Sequence, residues 1–135
     1  METSSIIEKK TYDFANRILK LYKYLIDNKA PFPLANQILR SGTSIGANVA
    51  ESRYASSKAD FISKTYISLK ECNETLYWIS LLGDNGYISE EARKSLIKDC
   101  QELKYMLTAR SKTAKGLSKI FSINAVEDDS LDNDG

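Results

Sequence analysis

The chain contains no histidine and only two cysteines, which removes several common catalytic and metal-binding arrangements. Without histidine there is no imidazole-based catalytic triad, no zinc site of the usual Cys/His kind and no Glu-x-x-His pair for a di-iron bundle. Cys72 and Cys100 form neither a CxxC motif nor the framework of a disulfide-rich domain. We therefore expect no catalytic residues, no metal site and no cofactor.

Glycine, proline and long apolar runs are also scarce. Six glycines and two prolines in 135 residues favour a few long helices over many short strands. No apolar run approaches the roughly 20 residues that span a bilayer. The N-terminus lacks the basic and then apolar pattern of a secretory signal. We expect one cytoplasmic domain with no membrane partner and no small-molecule substrate.

The net charge of +1 is unevenly distributed along the chain. Residues 127–135 carry five acids and no base, so the rest has thirteen acids against nineteen bases, a net charge of +6. A segment this polar cannot bury enough apolar surface to fold. We predict a folded domain over residues 1–122 and a disordered acidic tail over residues 123–135. The tail either solubilises the chain or competes with anionic ligands for the basic domain.

Four stretches place apolar residues at the three-and-four spacing of amphipathic helices. They predict helices over residues 5–28, 33–55, 57–82 and 89–117. Pro31 and Pro33 separate the first two helices, and Gly83 and Gly86 separate the last two. Four helices with short links predict an all-α, antiparallel, up-down-up-down four-helix bundle.

The second predicted helix is rich in small residues. Gly42 and Gly46 lie about one turn apart, and each glycine costs about 1 kcal/mol inside a helix relative to alanine. We predict that this segment lets another backbone approach closely. A strand is not favoured, because the segment shows no alternation with a period of two.

Helices two and three, if they form an antiparallel hairpin, place Arg40 level with Glu74 and one turn from Glu71. We predict an Arg40–Glu71/Glu74 ion pair that fixes the register of the two helices. In the alternative hypothesis Glu71 and Glu74, with Glu51 and Asp60, line the bundle interior and hold a hard cation. The chain would then be a metal carrier or an enzyme.

Bases without an intervening acid run along the fourth predicted helix. They are Lys104, Arg110, Lys112, Lys115 and Lys119. Such a strip is typical of proteins that bind phosphate backbones, although no motif for reading bases accompanies it. The alternative is that these side chains are only solvated.

The third predicted helix carries aromatic residues on more than one face. Tyr66, Tyr77 and Trp78 are therefore candidates for an oligomer interface, because aromatic residues are enriched at interface cores. Alternatively, they complete the core of a monomer.

The middle of the chain resembles a known family. The residues concerned are Leu39-Arg40-Ser41, Ser44-Ile45-Gly46-Ala47-Asn48, Glu51, Lys58-Ala59-Asp60-Phe61, Leu69-Lys70-Glu71, Asn73-Glu74-Thr75 and Tyr77-Trp78. They resemble the 23S rRNA-intervening-sequence proteins, which are small bacterial four-helix bundles, and the resemblance extends over about residues 8–118. It implies a ring-like homopentamer and no known reaction.

Two functional hypotheses follow from the basic faces and the resemblance together. The first is a non-enzymatic homo-oligomer that binds RNA or a ribonucleoprotein partner through basic helix faces. The second is a protein-interaction or structural module with no nucleic-acid role.

Overall fold

The computed structural model describes the backbone of residues 3–125 and the side chains of residues 6–116. The chain forms four helices: α1, Thr3–Asp27; α2, Phe32–Ser52; α3, Lys58–Asp84; and α4, Glu90–Ala125. No strand occurs within the described backbone, so the all-α prediction is confirmed. No helix in residues 3–125 has both the length and the apolar character that crossing a membrane requires.

Each helix packs against its neighbours in sequence, and α1 packs against α4 to close the bundle. On the α2–α3 side, Arg40 contacts Glu74 while Glu51 contacts Lys64, so residue numbers rise along one helix and fall along the other. The same reversal relates the other neighbouring helices. The predicted antiparallel four-helix bundle is confirmed.

Two of the three links use a left-handed residue to end the preceding helix. After α1 the left-handed residue is Lys29, which has φ 63°, and the N–H of Ala30 donates to the carbonyl of Leu25 at 2.9 Å. After α3 the left-handed residue is Gly86, with φ 78°. A missing Cβ makes glycine well suited to that conformation.

Two helix boundaries differ from the prediction by more than two residues. α2 ends at Ser52 rather than near residue 55, because the next three amides bond to carbonyls three residues back, which tightens the chain into a turn. α4 continues to Ala125 rather than ending near residue 117, since Gly116 costs only about 1 kcal/mol and no proline follows it. Residues 123–125, predicted as tail, are thus helical. Residues 126–135 of the predicted tail lie outside the described residues.

All four helices contribute to the core. Its largest fully buried apolar side chains are Ile7, Ile18, Leu25, Ile38, Ile45, Val49, Ile79, Leu82 and Leu107. The three-and-four spacing on α3 predicts a core stripe through Ile62, Thr65, Leu69, Cys72, Leu76 and Ile79. The buried face is rotated relative to that stripe: Ser68 and Thr75 are buried, whereas Leu69 and Leu76 are only partly buried. The hydroxyl of Ser68 donates to the Ile45 carbonyl of α2 at 2.9 Å. That bond offsets the cost of burying a polar group.

α1 and α2 approach closely at two glycines. A Cβ at Gly42 would lie 2.7 Å from Cγ1 of Ile18, which is fully buried and has no room to move. A Cβ at Gly46 would lie 3.2 Å from the carbonyl oxygen of Thr11. The close approach predicted from the small residues therefore occurs, and its partner is α1.

Candidate nucleic-acid interface

The bases in the C-terminal half of α4 do not form a single face. Helix geometry separates Arg110 from Lys115 by about 140° around the axis, whereas Lys104, Lys112 and Lys115 lie on one side. We call these three lysines the α4 basic surface. Lys112 is exposed, and Lys104 and Lys115 are partly buried. The side chain of the fifth predicted base, Lys119, lies outside the described residues.

The α4 basic surface has few acidic partners. Neither Lys104 nor Lys112 forms an ion pair with any carboxylate of residues 6–116. The Nζ atom of Lys115 lies 4.7 Å from the ring centroid of Tyr66, within the range of a cation–π contact. On α1, by contrast, three bases bind acids: Lys9 binds Asp13, Lys10 binds Glu102 and Arg17 binds Asp99. Lys104 and Lys112 thus present positive charge that no carboxylate of residues 6–116 neutralises, as do Lys20 and Lys23 of α1.

Arg110 points away from this surface, into the end of the bundle where α2 and α3 meet. Its Nη2 donates to Oγ of Ser52 at 2.9 Å, and its guanidinium carbon lies 4.4 Å from the ring centroid of Phe61. Its Nη1 is buried and has no hydrogen-bond partner among the described atoms. Burial lowers the pKa of Arg110, an effect that the charge of Glu8 opposes.

A cavity of about 350 Å³ lies beside this side chain, and we call it the Arg110 cavity. Its lining consists of Glu8, Ser52, Arg53, Ala55, Ser57, Phe61 and Arg110. The carboxylate of Glu8 accepts two hydrogen bonds from Arg53, one of them from Nε at 3.1 Å, and these bonds raise the pKa of Arg53. Glu8 thus forms its ion pair with Arg53, and the three charged side chains of the lining together carry one net positive charge.

Arg40 lies against both of its predicted partners. Its Nη1 is 3.3 Å from Oε1 of Glu71, and its Nη2 contacts Oε2 of Glu74. The indole N–H of Trp78 donates to the same Glu74 oxygen at 3.0 Å. The bond from Arg40 and the bond from Trp78 lower the pKa of Glu74, and the bond to Glu74 raises the pKa of Arg40. That this cluster fixes the helix register stays a prediction.

The other two carboxylates of the metal hypothesis are bound elsewhere. Glu51 accepts from Nζ of Lys64 at 2.9 Å, and Asp60 accepts from the backbone N–H of Ser56 at 3.0 Å. Within the described part of the chain, no three histidine, cysteine or acidic side chains are grouped so that they could hold a metal ion. The four acids therefore do not form the site that the hypothesis requires.

The two cysteines are buried free thiols. Cys100 donates to the carbonyl of Cys72 at 3.5 Å, and contact with the Cys72 side chain together with burial raises the pKa of the Cys100 thiol. A thiol with a raised pKa remains protonated at neutral pH and is a poor nucleophile. Cys100 is thus a core residue in this fold.

The three aromatic residues predicted at an interface differ in exposure. Tyr66 and Tyr77 are 39% and 60% exposed and, being eleven residues apart, lie on the same side of α3. Trp78 packs partly buried against the core, with its ring in edge contact with Tyr77 at 5.0 Å. The two tyrosines form the outward aromatic face of α3, and Trp78 contacts Tyr77 from its partly buried position against the core.

An apolar groove between α1 and α2 was missed by the sequence analysis. It encloses about 800 Å³. Small residues line it, among them Gly46, Ala47 and Ala50, together with the exposed rings of Tyr12 and Tyr54. The run of small residues was the available signal, because side chains too small to fill a helix surface also leave a depression on it. We call this feature the α1–α2 groove.

Comparisons with known proteins agree with this architecture. The family model described as 23S rRNA-intervening sequence protein matches residues 3–109. The chain is 44% identical to a crystallised protein of unknown function from the S23 ribosomal protein family of Bacteroides thetaiotaomicron, with a TM-score of 0.80. That match covers 82% of this chain and 99% of the other. No curated protein matches the chain. With most of its length matched, the chain belongs to the family of 23S rRNA-intervening sequence proteins.

Proposed function

We propose that the chain is a non-enzymatic, cytoplasmic, homo-oligomeric bundle that binds RNA, alone or within a ribonucleoprotein, through the α4 basic surface. The supporting observation is the contrast between Lys10 and Arg17, which bind acids of α4, and Lys104 and Lys112, which bind none within residues 6–116. Lysines on one side of a helix suit a phosphate backbone, because each phosphate contact releases condensed counterions. The S23 ribosomal designation of the crystallised relative agrees with an RNA partner.

Binding to a structured ribosomal-RNA hairpin across a series from about 50 to 300 mM salt tests the proposal. We expect the logarithm of the affinity to fall linearly with the logarithm of the salt concentration. Replacing all three lysines of the α4 basic surface with glutamine should reduce that slope by about 2 to 3, close to one unit for each lost phosphate contact.

A control variant removes the same charge from exposed positions elsewhere. It replaces Lys20, Lys23 and Lys98 with glutamine. We expect its slope to match that of the unmodified protein. Absence of binding at about 50 mM salt would reject the proposal, and equal slope losses in both variants would show that only net charge matters.

The homo-oligomeric state is proposed as a ring-like pentamer, as the family resemblance implies. The exposed Tyr66 and Tyr77 support self-association through the outer face of α3. Light scattering on a size-exclusion column at tens of micromolar should give about five times the chain mass of 15.2 kDa. The double variant Tyr66→Ser/Tyr77→Ser should give a smaller mass, whereas Tyr105→Ser, on the exposed side of α4, should not. A monomeric unmodified protein would refute the ring.

The α1–α2 groove favours a second candidate, a protein-interaction or structural module with no nucleic-acid role. Its apolar lining and its exposed tyrosines resemble the grooves in which amphipathic helices bind. The RNA titration separates the two candidates. Loss of all RNA binding at low salt, with the oligomer intact, would leave this module as the function.

A further inference from the structure

Arg110 differs from every other arginine of the chain in its partners. Four of the five arginines bind a carboxylate: Arg17 binds Asp99, Arg40 binds Glu71 and Glu74, Arg53 binds Glu8, and Arg93 binds Glu90. Arg110 binds no carboxylate of residues 6–116. Its hydrogen-bond partner is the neutral hydroxyl of Ser52.

This arginine also carries a donor that nothing in the described chain satisfies. Its Nη1 is buried without an acceptor, so this nitrogen has lost its hydrogen bonds to water without a replacement, and a ligand in the neighbouring cavity reaches it only if the side chain turns toward that cavity. The ring of Phe61 stabilises the cation from one side, but a ring face does not accept the in-plane N–H bonds that a guanidinium makes with an oxyanion.

The cavity beside Arg110 has room and a second donor for an oxyanion. Its volume of about 350 Å³ is many times the volume of a water molecule, about 30 Å³. The hydroxyl of Ser57 accepts from the N–H of Asp60 at 3.0 Å, which leaves its own proton for a ligand. The hydroxyl of Ser52 already donates to the Val49 carbonyl at 2.7 Å.

The charges in the lining favour one small anion. Glu8 and Arg53 bind each other, so the cavity retains the single positive charge of Arg110. The planar guanidinium matches phosphate oxygens through two parallel N–H bonds, a geometry that an ammonium group does not offer.

We propose that the Arg110 cavity binds one phosphate group, held by the guanidinium of Arg110 and the hydroxyl of Ser57. The phosphate belongs either to an RNA backbone or to a small phosphorylated molecule. The assignment of this phosphate to RNA rests on the function proposed above, whereas the phosphate site itself does not. If the phosphate belongs to RNA, the cavity is a fixed anchor for one backbone phosphate, on a different side of α4 from the α4 basic surface.

Calorimetric titration with inorganic phosphate, in a phosphate-free buffer at constant ionic strength, tests the site. We expect saturable binding to the unmodified protein. Arg110→Lys keeps the charge but removes the planar fork, and we expect its affinity to fall at least about tenfold. Lys98→Gln, which removes an exposed charge elsewhere on α4, should leave the affinity unchanged.

A second variant keeps the test valid if Arg110→Lys does not fold. Ser57 begins α3 by accepting from the N–H of Asp60, and aspartate is an equally good residue at that position. Ser57→Asp therefore preserves the helix start while it places a carboxylate in the cavity, where it repels phosphate. We expect the phosphate affinity to fall at least about tenfold, because the new carboxylate replaces the hydroxyl donor and repels the phosphate. Unchanged phosphate affinity in Ser57→Asp, or no binding to the unmodified protein, would overturn the site.

The RNA titration with Arg110→Lys and Ser57→Asp distinguishes the two sources of phosphate. Parallel losses of phosphate and RNA affinity would support the RNA anchor. Phosphate binding that depends on Arg110, without any RNA binding, would support a site for a small phosphorylated molecule and reject the proposed function. RNA binding that neither variant changes, with no phosphate binding, would overturn the site and leave the proposed function standing.

Discussion

Arg40 and Arg110 both connect helices, yet their surroundings differ. Arg40 bridges two carboxylates of α3, one of which also accepts from Trp78. Arg110 contacts a hydroxyl and an aromatic ring and keeps one buried donor without a partner. At the α2–α3 junction the charge of Arg40 therefore joins two helices. The lining of the Arg110 cavity retains one net positive charge, which is the charge that the proposed phosphate would neutralise.

The largest expected effect comes from Arg40→Met. The substitution removes two ion pairs and leaves Glu71 and Glu74 close together without a cation. We expect the free energy of unfolding to fall by only about 1 kcal/mol, because the ion pairs are partly exposed and solvent screens them. The thermal midpoint should fall by about 4 °C at fixed protein concentration, with Lys98→Met as the exposed control. A shift below about one degree would show that the cluster does not stabilise the hairpin.

A smaller effect of the opposite sign is expected from Arg110→Met. An apolar side chain of similar length removes the unpartnered charge, and such replacements are often neutral or stabilising. Loss of the contact with Phe61 costs roughly 0.5 to 1 kcal/mol and offsets part of the gain. We expect the thermal midpoint to stay level or to rise by about 2 °C. A fall as large as that of Arg40→Met would mean that Arg110 is a structural residue.

The smallest expected effect is a pH dependence confined to the Arg40 cluster. The bond from Arg40, followed by the bond from Trp78, lowers the pKa of Glu74 in the folded state. Its contribution to stability is therefore complete above the unfolded value of about 4.3 and is lost as the pH falls through the lower folded value. The stability difference between the unmodified protein and Arg40→Met should shrink in that acidic window. The difference for the exposed control Lys98→Met should not.

Urea unfolding at a series of pH values measures both differences. The chain has one tryptophan, and because Trp78 donates to Glu74, its fluorescence follows the same titration directly. A stability difference for Arg40→Met that stays constant down to about pH 3 would show that Glu74 does not contribute through its charge.

The Arg40 cluster could be predicted from the sequence because two simple quantities determine it. The position of the α2–α3 turn and the constant rise per residue of a helix together determine which residues of α2 lie opposite which residues of α3. The number and order of the helices follow equally well from apolar periodicity. Each of these inferences needs only distances along the chain.

The direction of Arg110 could not be predicted in this way. Along the sequence it belongs to the same strip as Lys112 and Lys115, but its side depends on how α4 is rotated about its own axis. That rotation is set by the packing of the whole bundle. The buried Ser68 illustrates the same limit: α3 carries apolar residues on several faces, and the acceptor that lets Ser68 lie on the buried face is a carbonyl of another helix, that of Ile45.

The contact between α1 and α4 has a consequence for the order in which the protein folds. It joins helices at opposite ends of the described chain and is the smallest of the four helix–helix contacts, whereas the other three join consecutive helices. Consecutive helices meet through short loops, whose closure loses little entropy, so we expect these three contacts to form early. We therefore expect closure of α1 on α4, through Lys10–Glu102 and Arg17–Asp99, to be the last step of folding and the first to reverse.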